Sequence, residues 1–218
     1  IDMIKLIGLS KVYKGFHAVN DINIDVKTGV IFGFLGPNGA GKSTTMRILC
    51  GALAPSGGRV WLNGIDLLER PIEAKAGLGY LPENPPVYRD LTVDEYLDFC
   101  ARLRRIPSAR RTAARQQTKQ RCGLEGAGHR LIGNLSKGYQ QRVGIAQAII
   151  HEPKLVILDE PTSGLDPNQI REIRGLIREL AQTQGVILST HILPEVQAVC
   201  NRINILHQGR IVYDDKNI

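Results

Sequence analysis

A chain of 218 residues, 43% hydrophobic and 22% charged, is long enough to bury one core and carry a small subdomain. It has no run of about eighteen apolar residues to span a membrane, and residues 1–5 do not read as the start of a signal peptide. The formal net charge is +7, but residues 102–121 alone hold eight Lys or Arg and no acid, so the rest is near neutral and a general nucleic-acid-binding surface is not indicated. That basic strip is either a solvated helix face or a contact for phosphates, anionic lipid or the acidic end of a partner helix.

In chain order, the pattern predicts strands up to about residue 35. Ile22, Ile24 and Val26 alternate with Asn23 and Asp25, as in a half-exposed antiparallel strand, and residues 30–35 form a continuous apolar strand. Residues 43–50 read as a helix. Residues 59–62 are a short strand ended by Asn63 and Gly64, and residues 78–81 are another, stopped by Pro82. A helix-rich stretch follows over 92–150, opened by a capping box from Thr92 to Glu95 and divided at Pro107. Gly123, Gly126 and Gly128 are expected to form a mobile connector within it. Residues 155–158 have the unbroken apolar character of a parallel strand buried on both faces. A helix over 169–183, a strand over 186–188, a short helix over 194–200 and a hairpin over 203–213 complete the chain. Cys50, Cys100, Cys122 and Cys200 have no C-x-x-C spacing and read as reduced structural thiols of a cytosolic protein. The overall expectation is an α/β nucleotide-binding core interrupted by a helical insertion.

Gly36, Pro37, Asn38, Gly39, Ala40, Gly41, Lys42 and Ser43 complete a G-x-x-x-x-G-K-S pattern between a strand and a helix. The pattern arises by chance in about one chain in a hundred of this length. Gly36, Gly39 and Gly41 are expected to give φ > 0 and let backbone N–H groups close on phosphate oxygens, with the following helix adding its positive end. Lys42 reaches the β- and γ-phosphates, the Ser43 hydroxyl is placed for Mg²⁺, and Thr44 extends the phosphate-binding run into the helix. The chain is expected to bind a nucleoside triphosphate. After the strand at 155–158 come Asp159, able to orient Mg²⁺, and Glu160, able to polarise an attacking water.

Leu135, Ser136, Lys137, Gly138, Tyr139, Gln140, Gln141 and Arg142, just before that strand, resemble the L-S-G-G-Q signature of ABC-type ATPases. Lys137 replaces the first glycine, and Tyr139 precedes Gln140. In such a signature Ser136 donates to phosphate, Gly138 permits close approach, and a helix N-terminus from about Gln140 faces the γ-phosphate held by the opposite subunit. The resemblance covers nearly the whole chain. It implies an α/β P-loop NTPase core of ABC ATPase type (1–84 and 151–218), with an N-terminal antiparallel β subdomain and a helical subdomain over 85–150. It implies ATP and Mg²⁺ as cofactors. It places Tyr13 on the adenine, with Phe16 as the competing ring, Asp166 in the interface D-loop and His191 as the γ-phosphate switch. Glu83 stands where the family commonly has a Mg²⁺-contacting Gln, and its carboxylate can still serve as an oxygen ligand.

The stretches Glu83 to Pro86, Ser136 to Arg142 and Leu165 to Ile170 further resemble ATP-binding subunits of ABC-2 type exporters, gliding-motility-associated ones in particular. That resemblance implies a homodimer or pseudo-symmetric heterodimer with head-to-tail ATP sites. It also implies an integral membrane permease as partner, no nucleic acid, and a peripheral location on the cytoplasmic face of the cell membrane. A soluble ABC ATPase acting on ribosomes, DNA or an assembly scaffold is the alternative, but no tandem cassette or long coiled coil is visible.

Overall fold

The alternating pattern around Ile22 belongs to one half of a long antiparallel ribbon, β1 (Asp2–Tyr13) with β2 (Phe16–Lys27). Along β2, Val19, Ile22, Ile24 and Val26 are buried while Asp21, Asn23 and Asp25 face out. β1 also pairs with β4 (Gly57–Leu62), which turns through Asn63 (φ 50°) and Gly64 (φ 78°) into β5 (Ile65–Asp66). Two consecutive left-handed residues are what a tight hairpin turn requires. The resulting four-stranded sheet, ordered β2-β1-β4-β5, is the expected antiparallel subdomain. These coordinates are a computed structural model that describes residues 2–27 and 29–215; positions 1, 28 and 216–218, part of the expected core range, lie outside the described residues.

The second sheet has six strands. These are β3 (Ile31–Leu35), β6 (Leu78–Leu81), β7 (Leu155–Asp159), β8 (Gly185–Thr190), β9 (Arg202–His207) and β10 (Arg210–Asp215), in the order β10-β9-β3-β8-β7-β6. All neighbours are parallel except the terminal β9–β10 hairpin. Strands β3, β7 and β8 are buried at every position because elements cover both faces. The period of two divides each strand between two cores: Leu155 and Ile157 pack with Phe32, Phe34, Met46 and Leu49 under the antiparallel sheet. Val156 and Leu158 pack with Val143, Ile145, Ile173 and Ile177 on the other side.

Helices α1 (Lys42–Leu49), α6 (Pro167–Ala181) and α7 (Leu193–Val199) follow β3, β7 and β8. The six-residue α2 (Pro71–Ala76) had no clear sequence signal, being too short to show a helical period. The helical subdomain holds α3 (Val93–Leu103), α4 (Ser108–Cys122) and α5 (Lys137–Ile149). Its capping box forms as expected: Glu95 N donates to the Thr92 hydroxyl at 3.2 Å, and the Glu95 carboxylate accepts from Thr92 N at 2.8 Å.

The glycine connector is a packed turn instead of a loose one. Leu124 and Ala127 are buried within it, and the Gly128 carbonyl accepts from Asp94 N at 3.0 Å. Four of the eight cations in the basic strip pair with three acids outside it: Arg102 with Asp98, Arg115 and Lys119 with Asp94, and Arg121 with Glu179. That pairing favours the solvated-face reading of α4. Among the described residues the four cysteines are free, and burial pushes the Cys122 thiol up to about 12, as expected of an inert packing thiol. No helix of the described residues is long and apolar enough to cross a membrane.

His151, at the end of α5, is lodged beneath β6 with Nε2 donating to the Leu78 carbonyl at 3.1 Å. Burial, then the nearby Arg104 charge, lower its pKa from 6.5 to about 4. The unfolded chain therefore binds the extra proton first, and stability is lost as pH falls from 6.5 towards 4. The His151→Gln variant, which keeps a donor for Leu78, should show a shallower fall in melting temperature across that window. Parallel profiles for the two proteins would remove His151 from acid sensitivity.

Candidate active site

β3 delivers the chain to the phosphate-binding loop at a fixed height, because Leu35 lies in register with Thr190 of β8 and Gly36 N donates to the Thr190 carbonyl at 3.3 Å. Gly39 (φ 81°) and Gly41 (φ 105°) take the left-handed backbone the sequence called for. Gly36 does not; its constraint is space, since a Cβ there would lie 2.4 Å from the Leu206 carbonyl. Gly41 meets both limits, because a Cβ would also lie 2.5 Å from the Ala18 carbonyl. The loop is thus moulded against β2 and the β9–β10 turn, and α1 begins directly after it at Lys42 with Gly41 as its N-cap.

Lys42 is buried, with Nζ donating to the Gly36 carbonyl at 2.7 Å and the Pro37 carbonyl at 3.2 Å. The same ammonium is 3.5 Å from Glu160 Oε1. The other Glu160 oxygen, Oε2, is 3.0 Å from His191 Nδ1. The structure therefore brings the three residues expected to act in catalysis into one chain, Lys42–Glu160–His191. Asp159, at the end of β7, accepts from the Ser43 hydroxyl at 3.4 Å and from the Ser189 hydroxyl. Burial raises the Asp159 pKa, hydrogen bonds from Ser189 and Ser43 oppose the shift, and the Glu83 charge adds to it. A desolvated carboxylate beside a second carboxylate and a hydroxyl is a hard oxygen donor set suited to Mg²⁺.

Lys42, Ser43, Glu160 and His191 line one cleft of about 570 Å³, together with Phe16, Ala18, Asn38, Gly39, Gly41, Thr44, Glu83 and Ser163, and Asp159 adjoins it through Ser43. Phe16 lines it and is 65% exposed; Tyr13, 44% exposed, is its partner across the β1–β2 turn and carries Lys11 Nζ 5.3 Å above its ring. The structure thus puts Phe16 on the cleft wall and Tyr13 beside it, outside the lining. A second cleft of about 610 Å³, between Lys5, Asp25, Lys27 and Arg202, is spanned by the Arg202–Asp214 ion pair and has no convergent donors of this kind.

The structure does not bring Ser136, Gly138, Gln140 or Asp166 into the phosphate cleft of the same chain. Ser136 caps α5, accepting from Tyr139 N at 3.4 Å, so that helix begins at Lys137, three residues before the expected start. Gly138 is buried beside Gln169, and Gln140 donates to the Leu135 carbonyl at 3.0 Å. Asp166 caps α6, accepting from Asn168 N and Gln169 N, each at 3.0 Å. Lys137 and Gln140 line a separate groove of about 420 Å³ with Glu83 and Ser163. Sequence reasoning missed Ser189 and Thr190, whose roles depend on partners far away in the chain.

A mostly parallel sheet with this loop at its carboxyl edge, and a glutamate held between lysine and histidine, is the architecture of a P-loop nucleoside triphosphatase. The family model described as ABC transporter matches residues 19–163. The uncharacterized ABC transporter ATP-binding protein YxlF of Bacillus subtilis is 37% identical over 209 residues, covering 96% of this chain and 69% of its own. The bacitracin transport ATP-binding protein BcrA of Bacillus licheniformis is 38% identical over 212 residues, covering 96% and 68%. Among solved structures, an ATP-binding subunit of an ABC transporter superposes with a TM-score of 0.87 at 32% identity, covering 98% of this chain and 89% of the other. The dimeric cassette MJ0796 superposes with a TM-score of 0.89 at 25% identity, covering 98% of each. The chain belongs to the ABC transporter family and is an ATP-hydrolysing, ATP-binding subunit.

Lys42→Ala removes the only side-chain cation described as lining the phosphate cleft. ATP affinity should fall by about 100-fold in a fluorescent-nucleotide titration, the scale of losing a charge-assisted phosphate contact. Unchanged affinity would refute the assignment.

Proposed function

We propose that this subunit powers an ABC-2 type exporter, through head-to-tail association of two copies, or of one copy with a related chain, beneath a separate membrane permease. The observation that carries the dimer is the separation within one chain: Lys42, Glu160 and His191 lie in the phosphate cleft, whereas Ser136, Gly138 and Gln140 lie outside it. A signature that meets γ-phosphate must then do so across an interface, as in the dimer named for MJ0796. The exporter branch is supported by the sequence around Glu83, Ser136 and Leu165 and by the transport role in the name of BcrA. The subunit works at the cytoplasmic face of the membrane as a peripheral protein.

In this reading the loop from Gly36 to Thr44 binds the phosphates, and Lys42 turns from its own loop carbonyls to the β- and γ-oxygens. Tyr13, with Phe16 opposite it, stacks on the adenine. Ser43, Asp159 and Glu83 hold Mg²⁺, which neutralises phosphate charge when bound. Glu160 takes the proton of the attacking water, and His191, 3.0 Å away, orients that carboxylate and senses the γ-phosphate. Asp166 lines the interface. Loss of the γ-phosphate removes the contacts that join the two copies, and their separation is passed to the permease.

Glu160→Gln should lower turnover by about 1,000-fold or more, the scale of removing a general base, and should lengthen the life of the ATP-bound dimer on a sizing column. Rapid hydrolysis by that variant would take Glu160 out of the base role. Captured with ATP from detergent-solubilised native membranes, the same variant should carry a polytopic membrane protein; recovery of ribosomes or DNA instead would overturn the exporter reading. Tyr13→Ala should weaken ATP binding by about 10-fold, as for a lost base–aromatic stack. A loss confined to Phe16→Ala would move the role to Phe16.

A further inference from the structure

Glu160 must aim its carboxylate with care, yet its backbone sits at φ 48°, a left-handed conformation that an L side chain does not favour. Its N–H is held there by one residue. That N–H donates to both the carbonyl and the hydroxyl oxygen of Ser189, each at 3.1 Å. The Ser189 hydroxyl in turn gives its own proton to Asp159 Oδ1, the oxygen that also accepts from Ser43 at 3.4 Å. Ser189 stands opposite Asp159 in the β7–β8 ladder, is fully buried, and does not line the nucleotide cleft. Two residues further along the same strand end, His191 reaches Glu160 Oε2.

One hydroxyl therefore touches both members of the Asp159–Glu160 pair and accepts from one while donating to the other. We propose that Ser189 is a positioning residue for hydrolysis, fixing the left-handed backbone of Glu160 and the carboxylate of Asp159 in a single relative geometry. Alanine at this position would leave Asp159 Oδ1 with Ser43 alone and the Glu160 N–H with the strand carbonyl alone. The strand ladder, made by backbone groups, would persist, so the loss falls on alignment and leaves nucleotide binding intact. The inference rests on the hydrolytic roles given above to Asp159 and Glu160.

The experiment compares Ser189→Ala, Ser189→Thr and Glu160→Gln with the wild-type chain, by steady-state ATPase kinetics, fluorescent-ATP titration with Mg²⁺ and in EDTA, and thermal melting. Ser189→Ala should lower kcat by about 10- to 100-fold, the size of a lost hydrogen bond to a charged group. Its KM and its nucleotide affinity in both media should stay within about twofold. Ser189→Thr, which keeps the hydroxyl, should recover kcat to within about threefold of wild type. An alanine variant with kcat within about twofold of wild type would overturn the inference, as would equal losses in the alanine and threonine variants. So would a fall in nucleotide affinity as large as the fall in kcat. Full turnover by Glu160→Gln would instead bring down the hydrolytic reading itself, whatever Ser189→Ala does.

Discussion

The site depends on the register of three adjacent parallel strands. Leu35 of β3 lies opposite Thr190 of β8, and Ser189 of β8 lies opposite Asp159 of β7. That alignment puts the phosphate loop, the Asp159–Glu160 pair and His191 at one edge of one sheet. Backbone hydrogen bonds from Gly36 N to Thr190 and from Glu160 N to Ser189 hold the loop and the acidic pair to β8. The register is itself enforced by burial, since a slip of one residue in β7 would exchange Leu155 and Ile157 with Val156 and Leu158 between two unlike cores. Packing many ångströms from the nucleotide thereby decides where a carboxylate stands.

The helical subdomain shares the apolar core of this sheet, where Val143 and Ile145 of α5 pack with Val156 and Leu158, and ion pairs add to that contact. Arg142 bonds the Cys122 carbonyl at the end of α4 and pairs with Glu172 of α6, while Arg121 pairs with Glu179 of the same helix. These are partly exposed ionic contacts, each contributing about 0–1 kcal/mol, against a core sheet buried on both faces.

Much of the core could be read from the chain because its chemistry is contiguous. The run from Gly36 to Ser43 and the sequence from Leu155 to Glu160 each combine an element, its end and its reactive group within a few residues. The capping box at Thr92 is local in the same way. What stayed hidden was non-local. Gly36 is required by the Leu206 carbonyl, and Ser189 matters through a partner thirty residues earlier, a relation no short window contains. The glycines at 123, 126 and 128 misled for a related reason: composition marks a change of direction, but only Leu124, Ala127 and Asp94 show that the turn is pinned. Four cations of the basic strip likewise find their partners in acids lying outside it.

The clasp of Glu160 between Lys42 and His191 limits the ways its carboxylate can turn. Both carboxylate oxygens are engaged, one 3.5 Å from the ammonium and the other 3.0 Å from the imidazole, and the lysine is simultaneously bound to its own loop. With one contact at each oxygen, turning the carboxylate would break both at once, while each oxygen keeps a further lone pair for an incoming donor. The aim of the carboxylate is thus a property of the folded chain, set where α1, the end of β7 and the end of β8 meet at one sheet edge.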